Sequence, residues 1–214
     1  MLAAPAFAAA GDPVVKTALG PVRGTRENGV SVFRGIRYGN LWGRDLSAHI
    51  AEPDFLQHLR LLAQAGLVLD TANPDPKLIA AIVGLTDRVP ELRVVVDHLP
   101  NLQIPTESNA RLEYEANLRR LGERPQIFIK ISQVLQVPNK SAVLDQLWSV
   151  FGEDRLLYGS DWPNSDPFGT YADVLAIVRP YFTAKGRTAA EKYFWRNSIA
   201  AYRWVKRDAN QPSA

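Results

Sequence analysis

The chain has no cysteine. Disulfide frameworks, thiol nucleophiles and cysteine-based zinc sites are excluded by that alone. No apolar run approaches the ~18 residues of a membrane span. Histidine is scarce: His49, His58 and His98 are the only three, and no two are spaced as H-x-H. No serine has glycine at both −2 and +2, so the strained strand-to-helix elbow of a serine hydrolase is missing. Ser160, in Gly159-Ser160-Asp161, comes nearest. No glycine-rich phosphate loop follows any β-like run, which argues against a nucleotide-binding sheet. Net charge is small, with 25 Lys+Arg against 22 Asp+Glu leaving +3. The basic clusters Arg119, Arg120, Arg124 and Arg203, Lys206, Arg207 read as solvated helix faces, without any nucleic-acid signature beside them.

What is present is an ordinary globular mix: 214 residues, 46% hydrophobic and 22% charged. That length and composition suit one domain with an appended arm. Residues 1–12 begin MLAAPAFAAA, which looks like the back half of a secretory leader without its cationic start. They read as a leader remnant or a disordered terminus. A cytoplasmic location is favoured unless a longer leader precedes Met1. Residues 13–32 read as a β-hairpin arm, with turns at Gly20-Pro21 and Asn28-Gly29, the latter a strong two-residue hairpin signal. Residues 208–214 read as a disordered tail.

From residue 30 onward short apolar runs recur: Val30–Tyr38, Leu67–Thr71, Arg93–His98, Ile127–Ser132 and Leu156–Asp161. Their markers Ile36, Val68, Val96, Ile129 and Leu157 are 32, 28, 33 and 28 residues apart, the spacing of βα units. Helical patterns fill the gaps over Pro53–Ala65, Pro76–Val89, Asn109–Leu121, Ser141–Phe151, Tyr171–Tyr181 and Ala189–Val205. Gly66, Gly122 and Gly152 stand where helices should stop. Alternating β and α at this period means a parallel sheet, either a barrel or an open doubly wound sheet. Polar residues gather at the strand ends: Arg37, Asp70, Asp97, His98, Lys130, Ser132 and Asp161. That is the face where a barrel keeps its chemistry.

The segments FRGIRYG, GLVLDT, VVVDHLPN, IFIKIS and RLLYGSDWP, in this order, resemble the C-terminal part of the amidohydrolase-related TIM-barrel hydrolases, closest to their lactonase branch. The resemblance runs from about Phe33 to about Val205. It implies an incomplete (β/α)8 barrel of about five parallel βα units over residues 33–207, with FRGIRYG, VVVDH and YGSDWP on barrel strands four, six and eight. A full member opens with an H-x-H strand; here strands one to three have no counterpart, so a truncated or chimeric chain is expected. Residues 14–36 separately resemble the N-terminus of type-B carboxylesterases, a segment far from any catalytic serine.

The resemblance makes Asp161 the general base that activates water, or a metal ligand. Its ordinary alternative is a cap after the strand. His98 would contact substrate or metal, against the alternative of a satisfied core histidine. Arg34 and Arg37 would hold a substrate carboxylate through bidentate geometry. Lys130, inside an apolar run, is a substrate contact or half of a structural ion pair. No metal is assigned. A divalent ion such as zinc would find His98 and Asp161, fewer than the three protein ligands usual for catalytic zinc. The expected reaction is hydrolysis of a lactone, or a related ester or amide, by an Asp-activated water, with an anionic small molecule as substrate. The alternatives are an inactive relative acting as an interaction protein and, more weakly, a serine carboxylesterase fragment. Five strands cannot close an eight-stranded barrel, so association through an open sheet edge is expected, without nucleic-acid or membrane partners.

Overall fold

The structure is a computed structural model. It describes residues 14–17, 20–23, 25–27, 30–32, 45–72, 75–204 and 210–211. Residues 1–12, all of the tail except Asn210 and Gln211, and both Arg34 and Arg37 lie outside that set. The chain divides into two compact units, Met1–Arg37 and Tyr38–Ala214.

The first unit contains two antiparallel pairs. β1 (Val14–Thr17) pairs with β2 (Gly20–Arg23), and β3 (Thr25–Glu27) pairs with β4 (Val30–Val32). Glu27 lies opposite Val30, and the Asn28-Gly29 signal between them lies outside the described residues. One expectation is corrected here. Val30–Val32 is a hairpin strand rather than the start of a parallel strand running to Tyr38, because its backbone groups pair with β3. The remainder of that run lies outside the described residues.

The second unit holds a parallel sheet of β5 (Val68–Thr71), β6 (Arg93–Val96), β7 (Ile127–Ile131) and β8 (Leu156–Tyr158). The strands lie side by side in chain order. A barrel proceeds this way around its circumference, whereas a doubly wound sheet reverses its order at a switch point. Five parallel strands were expected; four stand among the described residues.

The helices are α1 (Leu46–His49), α2 (Pro53–Gln64), α3 (Pro76–Arg88), α4 (Ser108–Gly122), α5 (Lys140–Phe151), α6 (Tyr171–Ala184), α7 (Arg187–Glu191) and α8 (Asn197–Tyr202). Several are started by side-chain caps. Asp75 accepts from the Leu78 N–H at 2.7 Å, ahead of Pro76 at the first turn, and Thr170 with Asp173 forms a reciprocal capping box. Gly152 ends α5 at φ 68°. Gly122 ends α4 as expected: it is the last helical residue, and a Cβ there would sit 2.5 Å from Val150 Cγ1. The single helix expected over Ala189–Val205 is interrupted by a π turn at Lys192–Arg196, where Tyr193 stacks on Phe182, and ends at Arg203, φ 49°.

Strand alternation sorts the sheet into two faces. Leu69, Val94, Val96, Ile127, Ile129, Ile131 and Leu156 are buried on one face. α3, α4 and α5 connect successive parallel strands and add their buried Leu78, Ile82, Leu85, Leu118, Leu121, Leu144 and Leu147 to the core. The other face carries Asp70, Val95, Phe128, Lys130 and Leu157. Val95, Phe128 and Leu157 pack there against Ala201 of α8, with Val68 and Tyr202 at the margin. α8 is anchored by Asn197, whose side-chain amide donates to the carbonyls of Glu153 and Leu156 at 2.8 and 2.9 Å.

Candidate active site

The C-terminal ends of the parallel strands converge on one polar cluster. β6 delivers Asp97 and His98, β7 delivers Lys130 and Ser132, and β8 is followed by Asp161. The backbone leaves the strands abruptly: His98, Gln133 and Asp161 have φ of 70°, 60° and 57°. That left-handed conformation costs a residue with a side chain ~1–2 kcal/mol, and it is found where the surroundings over-determine it, commonly at functional sites.

His98 and Asp161, predicted as the reacting pair, are brought together: His98 Nδ1 lies 4.0 Å from Asp161 Oδ1. The Asp161 side chain is only 5% exposed. Its Oδ1 is 3.5 Å from the Asn164 side-chain amide, and its Oδ2 is buried with no hydrogen-bond partner among the described residues. A buried carboxylate oxygen left unpaired is costly, so this atom is set to accept a proton or a hydrogen bond from something else. His98 Nδ1 is also 2.8 Å from the Ser132 hydroxyl.

Lys130 is in ionic contact with Asp97 and lies 3.5 Å from Asp70 Oδ1. Tyr202, at the end of α8, donates to the same Asp70 oxygen at 2.6 Å, and the Lys130 ammonium lies 5.7 Å from its ring centroid. Burial opposes the Lys130 charge, but the Asp97 and Asp70 carboxylates outweigh it and hold the ammonium well above the usual lysine range. At Asp97 burial wins over the pull of Lys130 and pushes the carboxyl up. Lys130 therefore stands in a compensated ion cluster.

The remaining histidines lie elsewhere. His49 pairs with Glu52 at 3.0 Å at the end of α1, and His58 is exposed on α2. Two participants carry no assigned role in the sequence reading: Ser132, which it places among the polar strand ends, and Tyr202, which it places on the last helix. Tyr202 is 132 residues from Asp70, and no local pattern announces that bond. Among the described residues, no three His, Cys, Asp or Glu side chains are grouped to hold a metal ion. His98 and Asp161 are one donor short of an ordinary catalytic zinc site, so no chemical step is assigned to a metal here.

The amidohydrolase family model matches residues 4–204, and the chain belongs to that family. It is 31% identical over 109 residues to an L-fucono-1,5-lactonase of Burkholderia ambifaria, covering 46% of this chain and 36% of the relative. It is 23% identical over 183 residues to an L-fucono-1,5-lactonase of Burkholderia multivorans, covering 78% and 62%. The chain thus spans less than two thirds of these relatives' length. Among solved structures, an amidohydrolase 2 from Bifidobacterium longum subsp. infantis superimposes with TM-score 0.60 at 28% identity, over 72% of this chain and 56% of that one. A zinc-bound amidohydrolase from Burkholderia multivorans gives TM-score 0.65 at 19% identity, over 74% and 60%. These likenesses and the sheet order define an α/β fold with part of a (β/α)8 barrel. The likeness of residues 14–36 to type-B carboxylesterases finds no support among these relatives, and the family match takes in that segment.

Proposed function

We propose that this chain is a hydrolase that opens a lactone, or a related ester or amide, by attack of an Asp161-activated water. The observation that carries the reading is the buried, unpaired Oδ2 of Asp161 beside His98 at the strand ends. As water attacks the acyl carbon, Asp161 takes its proton. The tetrahedral intermediate then collapses with cleavage of the acyl C–O bond. The proton held on Asp161 passes to the departing alkoxide, giving a hydroxy acid. Arg34 and Arg37, read from the sequence as carboxylate-binding, lie outside the described residues and are given no place in this step. Lys130, paired with Asp97 and Asp70, is better suited to holding the strand ends together than to binding an anion. Two relatives named L-fucono-1,5-lactonase make the 1,5-lactone of a sugar acid the first substrate to try.

The test is acid release from such lactones in a pH-stat, against the spontaneous rate and the Asp161→Asn variant. Acceleration by the folded wild type and its loss in the variant are expected. A folded chain that leaves the spontaneous rate unchanged across lactones, esters and amides overturns the reading. Fluorophosphonate labelling should leave the chain unmodified, since no serine elbow is present.

A further inference from the structure

We propose that Ser132 is a positioning residue: together with Asp161 it fixes the proton of His98 on Nδ1, so that His98 presents a bare Nε2 to the reactant. The inference rests on the reading of His98 and Asp161 as the reacting pair. Three observations carry it.

Both polar contacts of His98 end on one ring atom. The Ser132 hydroxyl is 2.8 Å and Asp161 Oδ1 is 4.0 Å from Nδ1. Among the described residues, no hydrogen bond or ion pair engages Nε2. A carboxylate has lone pairs and no hydrogen, so a bare Nδ1 would set lone pair toward lone pair. An N–H on that atom is attracted by both oxygens. A neutral imidazole has one N–H, so Nε2 is then an acceptor. It can take a hydrogen bond from water or from a hydroxyl of the reactant. It cannot donate to a carbonyl oxygen.

Ser132 is also built into its place. It is 2% exposed, and its N–H reaches the Lys130 carbonyl at 3.1 Å. The neighbouring strand leaves room for it: a Cβ on Gly159 would lie 2.9 Å from both Ser132 Cβ and Lys130 Cγ. Any side chain at 159 would press on Ser132 and Lys130. Finally, the histidine that receives this contact has left-handed backbone at φ 70°, and so does Gln133 beside the serine at φ 60°. His98 and the residue that follows Ser132 are thus held where an unconstrained chain would not stay.

The decisive measurement is a long-range ¹H–¹⁵N correlation spectrum of the full chain labelled at histidine, at a pH where the rings are neutral. With three histidines, the His98 signals are assigned by their loss in His98→Gln. We expect wild-type His98 to show the Nδ1–H tautomer alone and Ser132→Ala to show both tautomers, with His49 and His58 unchanged. On a lactone, Ser132→Ala and Gly159→Ala should each lower kcat by ~10–100-fold, the size of effect that orienting partners have, with little change in KM. A wild-type His98 protonated on Nε2, or a tautomer untouched by Ser132→Ala, overturns the inference. The wild-type spectrum decides even if a variant fails to fold. The expected tautomers in a chain that hydrolyses no lactone would leave the inference standing and sink the proposed reaction. Lactone hydrolysis with the opposite tautomer would do the reverse.

Discussion

At the scale of the residue, Asp161 combines a backbone that few residues tolerate with a carboxylate oxygen that nothing among the described residues satisfies. The two properties can be separated. Asparagine also accepts φ near 57° because its short side chain bonds locally, so Asp161→Asn keeps the turn and removes only the base. We expect it to lower kcat by ~10²–10⁴-fold, the usual worth of a positioned general base, with an unchanged circular-dichroism spectrum and melting temperature within a few degrees. A variant that kept most of its turnover would remove Asp161 from the chemistry. Lys130 is a contrasting case, a charge whose work is to satisfy other charges. Lys130→Met leaves Asp97 and Asp70 without their cation. The side chains involved are 20–36% exposed, so the loss is discounted from the fully buried case to ~1–3 kcal/mol, read from urea unfolding. Adding Asp97→Asn should recover part of that loss in a double-mutant cycle, because the stranded carboxylate is then gone. Additive losses would mean that the two side chains are not coupled.

At the scale of the element, most of the parallel unit is legible from local chemistry. Apolar runs with β-branched residues gave β5 to β8 within a residue or three at each end, because strands covered on both faces need little else. Pro76 behind Asp75, and Gly152 in left-handed backbone, marked helix ends through their own conformational limits. What was illegible depends on partners distant in sequence. The π turn at Lys192–Arg196 lies beside a Tyr193–Phe182 stack, and the Ser132–His98 and Tyr202–Asp70 bonds span 34 and 132 residues. Gly122 shows how one residue type supports two readings. It ends α4, and it also allows α4 and α5 to approach. A Cβ there would meet Val150 Cγ1 at 2.5 Å and the Val150 carbonyl oxygen at 2.6 Å, and a backbone atom cannot step aside. The same junction is tied by Arg155, which donates to the carbonyls of Gly122, Arg124 and Phe151 at 2.7, 2.8 and 3.0 Å. Gly122→Ala should therefore destabilise the chain by ~1–3 kcal/mol through overpacking. Gly152→Ala meets no atom within 4 Å, so its cost, ~1–3 kcal/mol, is the strain of a side chain at φ 68° and ψ −175°, a region essentially reserved for glycine. A Gly122→Ala chain that melts at the wild-type temperature would contradict the close approach of α4 and α5.

At the scale of the whole molecule, the described fold has a pH limit set by its tyrosines. Tyr114, Tyr158, Tyr181, Tyr193 and Tyr202 are all pushed above the ordinary phenol range. Burial is the largest cause in every case, with carboxylates adding to it at Tyr114, Tyr181 and Tyr202. They come from different parts of the unit: Tyr114 from α4, Tyr158 from β8, Tyr181 from α6, Tyr193 from the π turn and Tyr202 from α8. The sign follows from proton counting. Above about pH 10 the unfolded chain loses phenolic protons that the native chain keeps, so the native state binds more protons and stability falls as pH rises. Lys130 acts in the same direction, since its raised value contributes stability below the ordinary lysine range that is lost on passing upward through the folded one. On the acid side Glu107 and Asp173, lowered by hydrogen bonds at helix starts, act oppositely and lose their contribution as pH falls through their folded values. A stability maximum between these limits is expected, with a steep alkaline edge. Tyrosinate absorbance at 295 nm, followed alongside far-ultraviolet circular dichroism, should show that most of the seven tyrosines ionise together with unfolding. Smooth titration of most phenols near pH 10 while the helical signal persists would mean that the aromatic layer between β8, α6 and the last helices is not packed as described.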